Sequence, residues 1–269
     1  MKIAWLSDLH LNFVSRDNKD KFLINLNSKR PDIILIGGDI STSSDLIRDL
    51  EYMLNYISCP IYFVLGNHDY YGSSIEKVQE KVNIITSKYF QLKYLPQEGV
   101  VKLSKDTCLI GHDCWADGRY GAFFSSSATK SMNDYIMIDD FRFQPTEDLL
   151  HKELNKLGDE ASKYLHTKSF EALESFRSVI VLTHVPPFDK CCWHEDNLSD
   201  KDYLPHFACK AAGDALLETT QYDAIKDMLV LSGHTHSSGM AQIRPNILAR
   251  SAGSKYGELK VQEFIQIGE

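Results

Sequence analysis

The sequence runs to 269 residues, with 43% hydrophobic and 25% charged side chains and a formal net charge of −8. This is ordinary for a globular chain, and one α/β domain over residues 1–269 is expected at such a length. The acidic balance gives no general electrostatic footprint for duplex nucleic acid, although a locally basic groove stays compatible with it.

The six cysteines, at 59, 108, 114, 191, 192 and 209, contain no C-x-x-C pair. That spacing suits neither a zinc knuckle nor a disulfide framework and points to a reducing cytoplasm. No basic then apolar leader opens the sequence, and no apolar run reaches the roughly 18 residues of a membrane span. A cytoplasmic protein with no membrane partner is therefore expected.

In chain order, KIAWLSDLH (2–10) is a short apolar run that stops at Asp8-Leu-His10. It reads as a buried strand opening into a loop. Residues 17–28 carry Phe22, Leu23 and Leu26 in a helix-like stripe. A second buried strand follows Pro31 and ends in Gly37-Gly38-Asp39, and 43–56 reads as a second helix. A third strand opens after Pro60 and closes on Gly66-Asn67-His68-Asp69. Strands and helices alternating at about 30 residues per unit predict right-handed crossovers and a parallel sheet, whose strand ends gather polar groups at one edge.

Beyond a helix at 73–89, two short runs at 100–112 predict entry into a second sheet. Residues 114–142 read as a long surface excursion, and 145–176 as either one helix or two helices broken at Gly158. The run 178–184 ends in Thr183-His184 before Val-Pro-Pro, and a second excursion spans 188–213. A helix is expected at 211–220, then a strand closing on Gly233-His234-Thr235-His236, then two final runs near 247–250 and 259–267.

Asp8, His10, Asp39, Asn67, His184, His234 and His236 thus all fall at predicted strand ends. Taken singly, each is a common turn former or surface group. Together they supply the mixture of hard oxygen and imidazole nitrogen that holds a pair of divalent cations bridged by one carboxylate.

The order D-x-H, G-G-D, G-N-H-D, T-H and G-H-T-H, over residues 8–236, resembles the calcineurin-like metallophosphoesterases. The resemblance implies a two-sheet β-sandwich flanked by helices, with a dinuclear site at the strand ends. It implies Asp8, His10 and His236 as ligands of one metal, Asn67, His184 and His234 as ligands of the other, and Asp39 as the bridge. His68 takes the place of a non-ligand histidine that faces the scissile phosphate, either stabilising phosphoryl oxygens or protonating the leaving group. Asp69 is expected to hold the His68 tautomer and raise its pKa. The reaction implied is in-line attack on phosphorus by a hydroxide bridging the metals. An imidazole-rich set favours Mn, Fe, Zn or Ni over Mg.

The substrate is less legible. Tyr70, Tyr71, Trp115 and Trp193 lie near the expected site and could stack on a base or sugar. Arg119 and Lys190 could hold a second phosphate, and His112 could line the pocket. The favoured expectation is a small phosphomonoester or phosphodiester, such as a nucleotide. The alternatives are a nuclease on larger nucleic acid and an inactive interaction scaffold.

Overall fold

The first three strands are buried on both faces, the condition for the interior of a parallel sheet covered by helices. The computed structural model describes residues 1–220 and 226–268. The first half contains β1 (Lys2–Leu6), α1 (Arg16–Ser28), β2 (Ile33–Gly37), α2 (Leu46–Leu54), β3 (Ile61–Val64), α3 (Ile75–Lys88), β4 (Leu92–Tyr94), α4 (Leu95–Glu98), β5 (Val101–Lys102) and β6 (Thr107–His112). Next come α5 (Asn133–Met137), α6 (Asp139–Arg142), α7 (Glu147–Ser175), β7 (Ser178–Thr183), β8 (Trp193–His194), β9 (Asn197–Leu198), α8 (Leu204–Phe207) and α9 (Lys210–Thr219). The chain closes with β10 (Asp227–Ser232), β11 (Gly239–Arg244), β12 (Ile247–Ser251) and β13 (Glu263–Gln266).

One sheet has the order β13-β1-β2-β3-β4, and the other β11-β12-β10-β7-β6-β5. Neighbours from β1 to β4 run parallel, as do β6, β7, β10 and β12. Alternate side chains of each strand point to opposite faces. Ile3, Trp5, Leu35 and Val64 therefore meet Leu109, Ile180, Leu182 and Leu231 between the sheets. On the outer face, Ala4, Leu6, Ile34, Ile36 and Phe63 pack against Leu23, Leu26, Leu50, Met53, Val78 and Val82 of α1 to α3. The second sheet buries Cys108, Ile110, Val179, Val181 and Val230 against Ala161, Leu165, Ala172, Ala212 and Leu216 of α7 and α9. The two-sheet α/β sandwich expected from the motifs is the observed fold.

Helix α7 runs unbroken for 29 residues through Gly158. The glycine marks close approach there, since a Cβ at 158 would lie 2.6 Å from the Asp117 Cβ. Strands β4 and β11 were not legible from the sequence. β4 is only three residues long, and β11 is a partly exposed strand paired antiparallel with β12 at the sheet edge. The 114–142 and 188–213 excursions, expected as loop or cap-like insertions, are tied to each other. Ser126 Oγ donates to the Asp202 carbonyl at 2.7 Å, Ser127 N donates to Asp202 Oδ1 at 2.7 Å, and Gly118 N donates to the Pro205 carbonyl at 3.1 Å. Together they form a cap beside the strand ends.

Candidate metal centre

The seven predicted residues converge because the parallel strands of both sheets end at the same edge. The His184 Nδ1 sits 2.8 Å from the Gly37 carbonyl, and Gly233 N donates to the His184 carbonyl at 2.8 Å. The first contact joins the end of one sheet to the other, and the second continues the β7–β10 ladder past the strand ends. The turns that follow are strained: Asp8, His10, Asp39, His234 and His236 all have φ between 42° and 73°. Left-handed backbone at non-glycine residues costs roughly 1–3 kcal/mol each and persists only where surrounding bonds over-determine it. Here Asp8 N donates to the Gly38 carbonyl at 3.0 Å and His10 N to the Asp39 carbonyl at 2.9 Å. His234 N donates to Asp8 Oδ1 at 2.9 Å, and Ser254 Oγ to the Asp8 carbonyl at 2.7 Å. Gly66 is needed for space: a Cβ there would fall on Asp39 Oδ1 and lie 2.6 Å from His184 Cε1.

Two donor sets result. In the first, one ligand atom from each of Asp8, His10, Asp39 and His236 lies within 4.8 Å of the others. His10 Nε2 and His236 Nε2 are 3.0 Å apart, and His10 Nε2 lies 3.6 Å from Asp39 Oδ2. In the second, Asn67 Oδ1 lies 2.9 Å from His184 Nε2 and 3.0 Å from His234 Nδ1, and Asp39 Oδ1 is 3.4 Å from His184 Nε2. Asp39 therefore turns one oxygen to each set.

Proton placement shows that a cation fits. A carbonyl only accepts, so the His184 Nδ1–H is directed at Gly37, which leaves its Nε2 bare toward Asn67. By the same rule His234 Nε2–H donates to the His206 carbonyl at 3.2 Å, leaving Nδ1 bare toward Asn67. Burial holds the imidazoles neutral, with pKa values lowered to about 2 for His10, about 4 for His184 and about 3 for His234. Three lone pairs thus face one another at hydrogen-bond distance, a repulsive arrangement that a cation makes favourable. Burial likewise raises the pKa of Asp8, and that of Asp39 to about 7, because desolvation penalises the buried negative charge.

His68 sits on a cavity of about 310 Å³ shared with Asp39, Asn67, His234 and His236. Its backbone N–H donates to Asp39 Oδ1 at 2.8 Å, and its ring lies 4.2 Å from Tyr71 and 4.6 Å from His10. Burial lowers its pKa. Asp69 does not hold that ring. Its Oδ1 accepts from Ser41 N at 2.8 Å and its Oδ2 from Gly66 N at 2.9 Å, so it clamps the turn bearing Asn67 and His68.

A calcineurin-like phosphoesterase family model matches residues 1–238. The chain belongs to that family. It is 37% identical over 79 residues to a transmembrane protein with metallophosphoesterase domain from Bos taurus, a match covering 28% of this chain and 18% of that protein. The matched stretch thus spans under a fifth of that relative's length. Among solved structures, phosphopantetheinyl hydrolase from Mycobacterium tuberculosis superposes with a TM-score of 0.63 at 15% identity, covering 95% of this chain and 90% of that one. A dimetal phosphatase from Danio rerio superposes with a TM-score of 0.57 at 11% identity, covering 94% and 87%. At these identities the likeness is one of fold. No helix among the described residues is long and apolar enough to cross a membrane.

The remaining site expectations divide. Tyr71 lines the cavity, whereas Tyr70 is buried and donates to Asp113 Oδ2 at 2.7 Å. Trp115 packs between Tyr70 and Phe141 in the core. Trp193 packs over Gly239, while His194, next on β8, reaches the cavity. Arg119 is committed to Asp117 and Asp159, Lys190 is exposed outside the cavity lining, and His112 packs at a tilt against Tyr164. Conversely, Asp134, His194, Tyr203, Phe207 and Tyr256 line the cavity without any local sequence signal. They come from the cap and the C-terminal loops, where side-chain direction is set by long-range packing.

Proposed function

We propose that the chain is a metal-dependent phosphoesterase that hydrolyses a small phosphomonoester or phosphodiester with a neutral, planar leaving group. Asp8, His10 and His236 would hold one divalent cation, Asn67, His184 and His234 the other, and Asp39 both. The observation that carries this reading is the pair of convergent donor sets sharing Asp39 at the floor of the His68 cavity. Bound there, the cations would lower the pKa of water and neutralise phosphoryl charge.

The chain's own groups do the rest. Because the His68 backbone is bonded to Asp39, the imidazole is held at a fixed offset from the shared carboxylate. Its lowered pKa makes it a neutral N–H donor to a phosphoryl oxygen in preference to a proton donor to the leaving group. Tyr71, Tyr203, Phe207 and Tyr256 give the cavity aromatic walls. No Lys or Arg is among its described lining residues, so a second phosphate or a nucleic-acid backbone would lack a counter-charge. That supports a small substrate over a nuclease role.

The test is hydrolysis of p-nitrophenyl phosphate and bis-p-nitrophenyl phosphate with Mn²⁺. Wild type should turn over at least one ester. Asp39→Ala should lose both cations and all activity, and His68→Ala should keep the cations while turnover falls about 10²–10³-fold. A wild-type protein that binds no divalent cation would refute the reading.

A further inference from the structure

Asn67 can serve the second donor set only with its amide one way round. Its Nδ2 donates to Asp134 Oδ1 at 2.7 Å and lies 3.1 Å from the Tyr71 hydroxyl, which itself donates to Asp134 Oδ1 at 2.6 Å. Flipping the amide would press its oxygen against the Asp134 carboxylate, so Asp134 aims Oδ1 at His184 and His234. Asp134 comes from α5 in the first excursion and is 7% exposed.

The other ligand is fixed from the second excursion. The His206 carbonyl accepts from His234 Nε2–H, which leaves Nδ1 for the donor set. His206 is itself locked by the first excursion, with Nδ1 2.7 Å from the Tyr135 hydroxyl and Nε2 2.8 Å from Ser126 Oγ. Tyr135 adjoins Asp134, so one hydrogen-bonded unit reaches both ligands.

We infer that the cap is the outer shell of the second cation site: Asp134 and His206 are positioning residues that select the ligating atoms of Asn67 and His234, and cap seating is thermodynamically linked to binding of the second cation. Outer partners of metal ligands typically contribute 10–100-fold in metal affinity. The linkage is reciprocal, so the cation must also hold the cap in place. The first donor set has no such bond to the cap among the described residues.

The inference rests on the two-cation reading above, and calorimetric titration of the demetallated protein with Mn²⁺ separates the two. Wild type should bind two Mn²⁺ per chain; if it binds none, both fall. In Asp134→Ala one of the two sites should weaken 10–100-fold while the other is unchanged. Asp134→Asn keeps an acceptor oxygen and should restore the weakened site, which a merely structural loss would not predict. Hydrogen exchange over residues 126–135 and 204–208 should slow on Mn²⁺ addition in wild type and respond less in Asp134→Ala. Two unchanged sites in the alanine variant would overturn the inference and leave the phosphoesterase reading intact. So would equal loss at both sites, or an asparagine variant as weak as alanine with native unfolding behaviour.

Discussion

Replacing Gly158 by alanine sets two effects of opposite sign against each other. In a helix interior the substitution ordinarily stabilises by about 1 kcal/mol through backbone entropy and propensity. Here the new methyl would lie 2.6 Å from Asp117 Cβ, 3.0 Å from Arg119 Nη1 and 3.2 Å from Asp117 Oδ2. Ordinary carbon contacts begin near about 3.5 Å, so Asp117 or α7 must move by most of an ångström. Asp117 has little freedom to do so. It is fully buried, its Oδ2 accepts from Ala211 N at 2.8 Å, and its Oδ1 accepts from Arg119 N at 3.1 Å. Overpacking of this kind costs about 1–3 kcal/mol, which exceeds the propensity gain. At the middle of that range, about 2 kcal/mol, Gly158→Ala should lower the free energy of unfolding by a net ~1 kcal/mol. A urea titration of the metal-free protein reads this as a lowered midpoint with an unchanged slope. An unchanged or raised midpoint would mean that the helix is free to shift, and that close approach to Asp117 is not why a glycine stands there.

Tyr203→Ala, which removes an aromatic wall, should raise KM for p-nitrophenyl phosphate about two- to tenfold with little change in kcat, the size of one aromatic pair; a fall in kcat at constant KM would contradict a binding role. Gly66→Ala places a methyl on the shared carboxylate and should abolish Mn²⁺ binding at both sites in the same calorimetric titration. Saturating Mn²⁺ at 100 times its Kd should stabilise the wild type by about 2.7 kcal/mol per site over an EDTA-treated sample, read from the shift in urea midpoint. Burial lowers the pKa of His206 from 6.5 to about 4. Below pH 6.5 the unfolded chain takes up a proton that the folded chain refuses until about pH 4, so stability is full above 6.5 and falls as the pH drops. In EDTA, wild type should lose up to ~3 kcal/mol more than His206→Gln between those limits. Parallel pH curves for the two proteins would refute that assignment.

The sequence by itself determined the sheet framework and the identity of the convergent side chains. Buried parallel strands read as continuous apolar runs, and their ends are punctuated by Gly, Asp, Asn and His, so β1, β2, β3, β7 and β10 and the seven donor residues were visible in one dimension. Tertiary structure alone decided which atoms those residues present. The bare Nε2 of His184 depends on a carbonyl 147 positions away in sequence, and that of Asn67 Oδ1 on a carboxylate 67 positions away. The clamping role of Asp69 was equally out of reach, because its partner Ser41 belongs to another turn. Gly158, which in the sequence left one helix or two open, became a packing contact only once Asp117 stood against it. Periodicity records which face of an element is buried; hydrogen-bond partners and ring orientations are set by segments distant in sequence, and no local pattern encodes them.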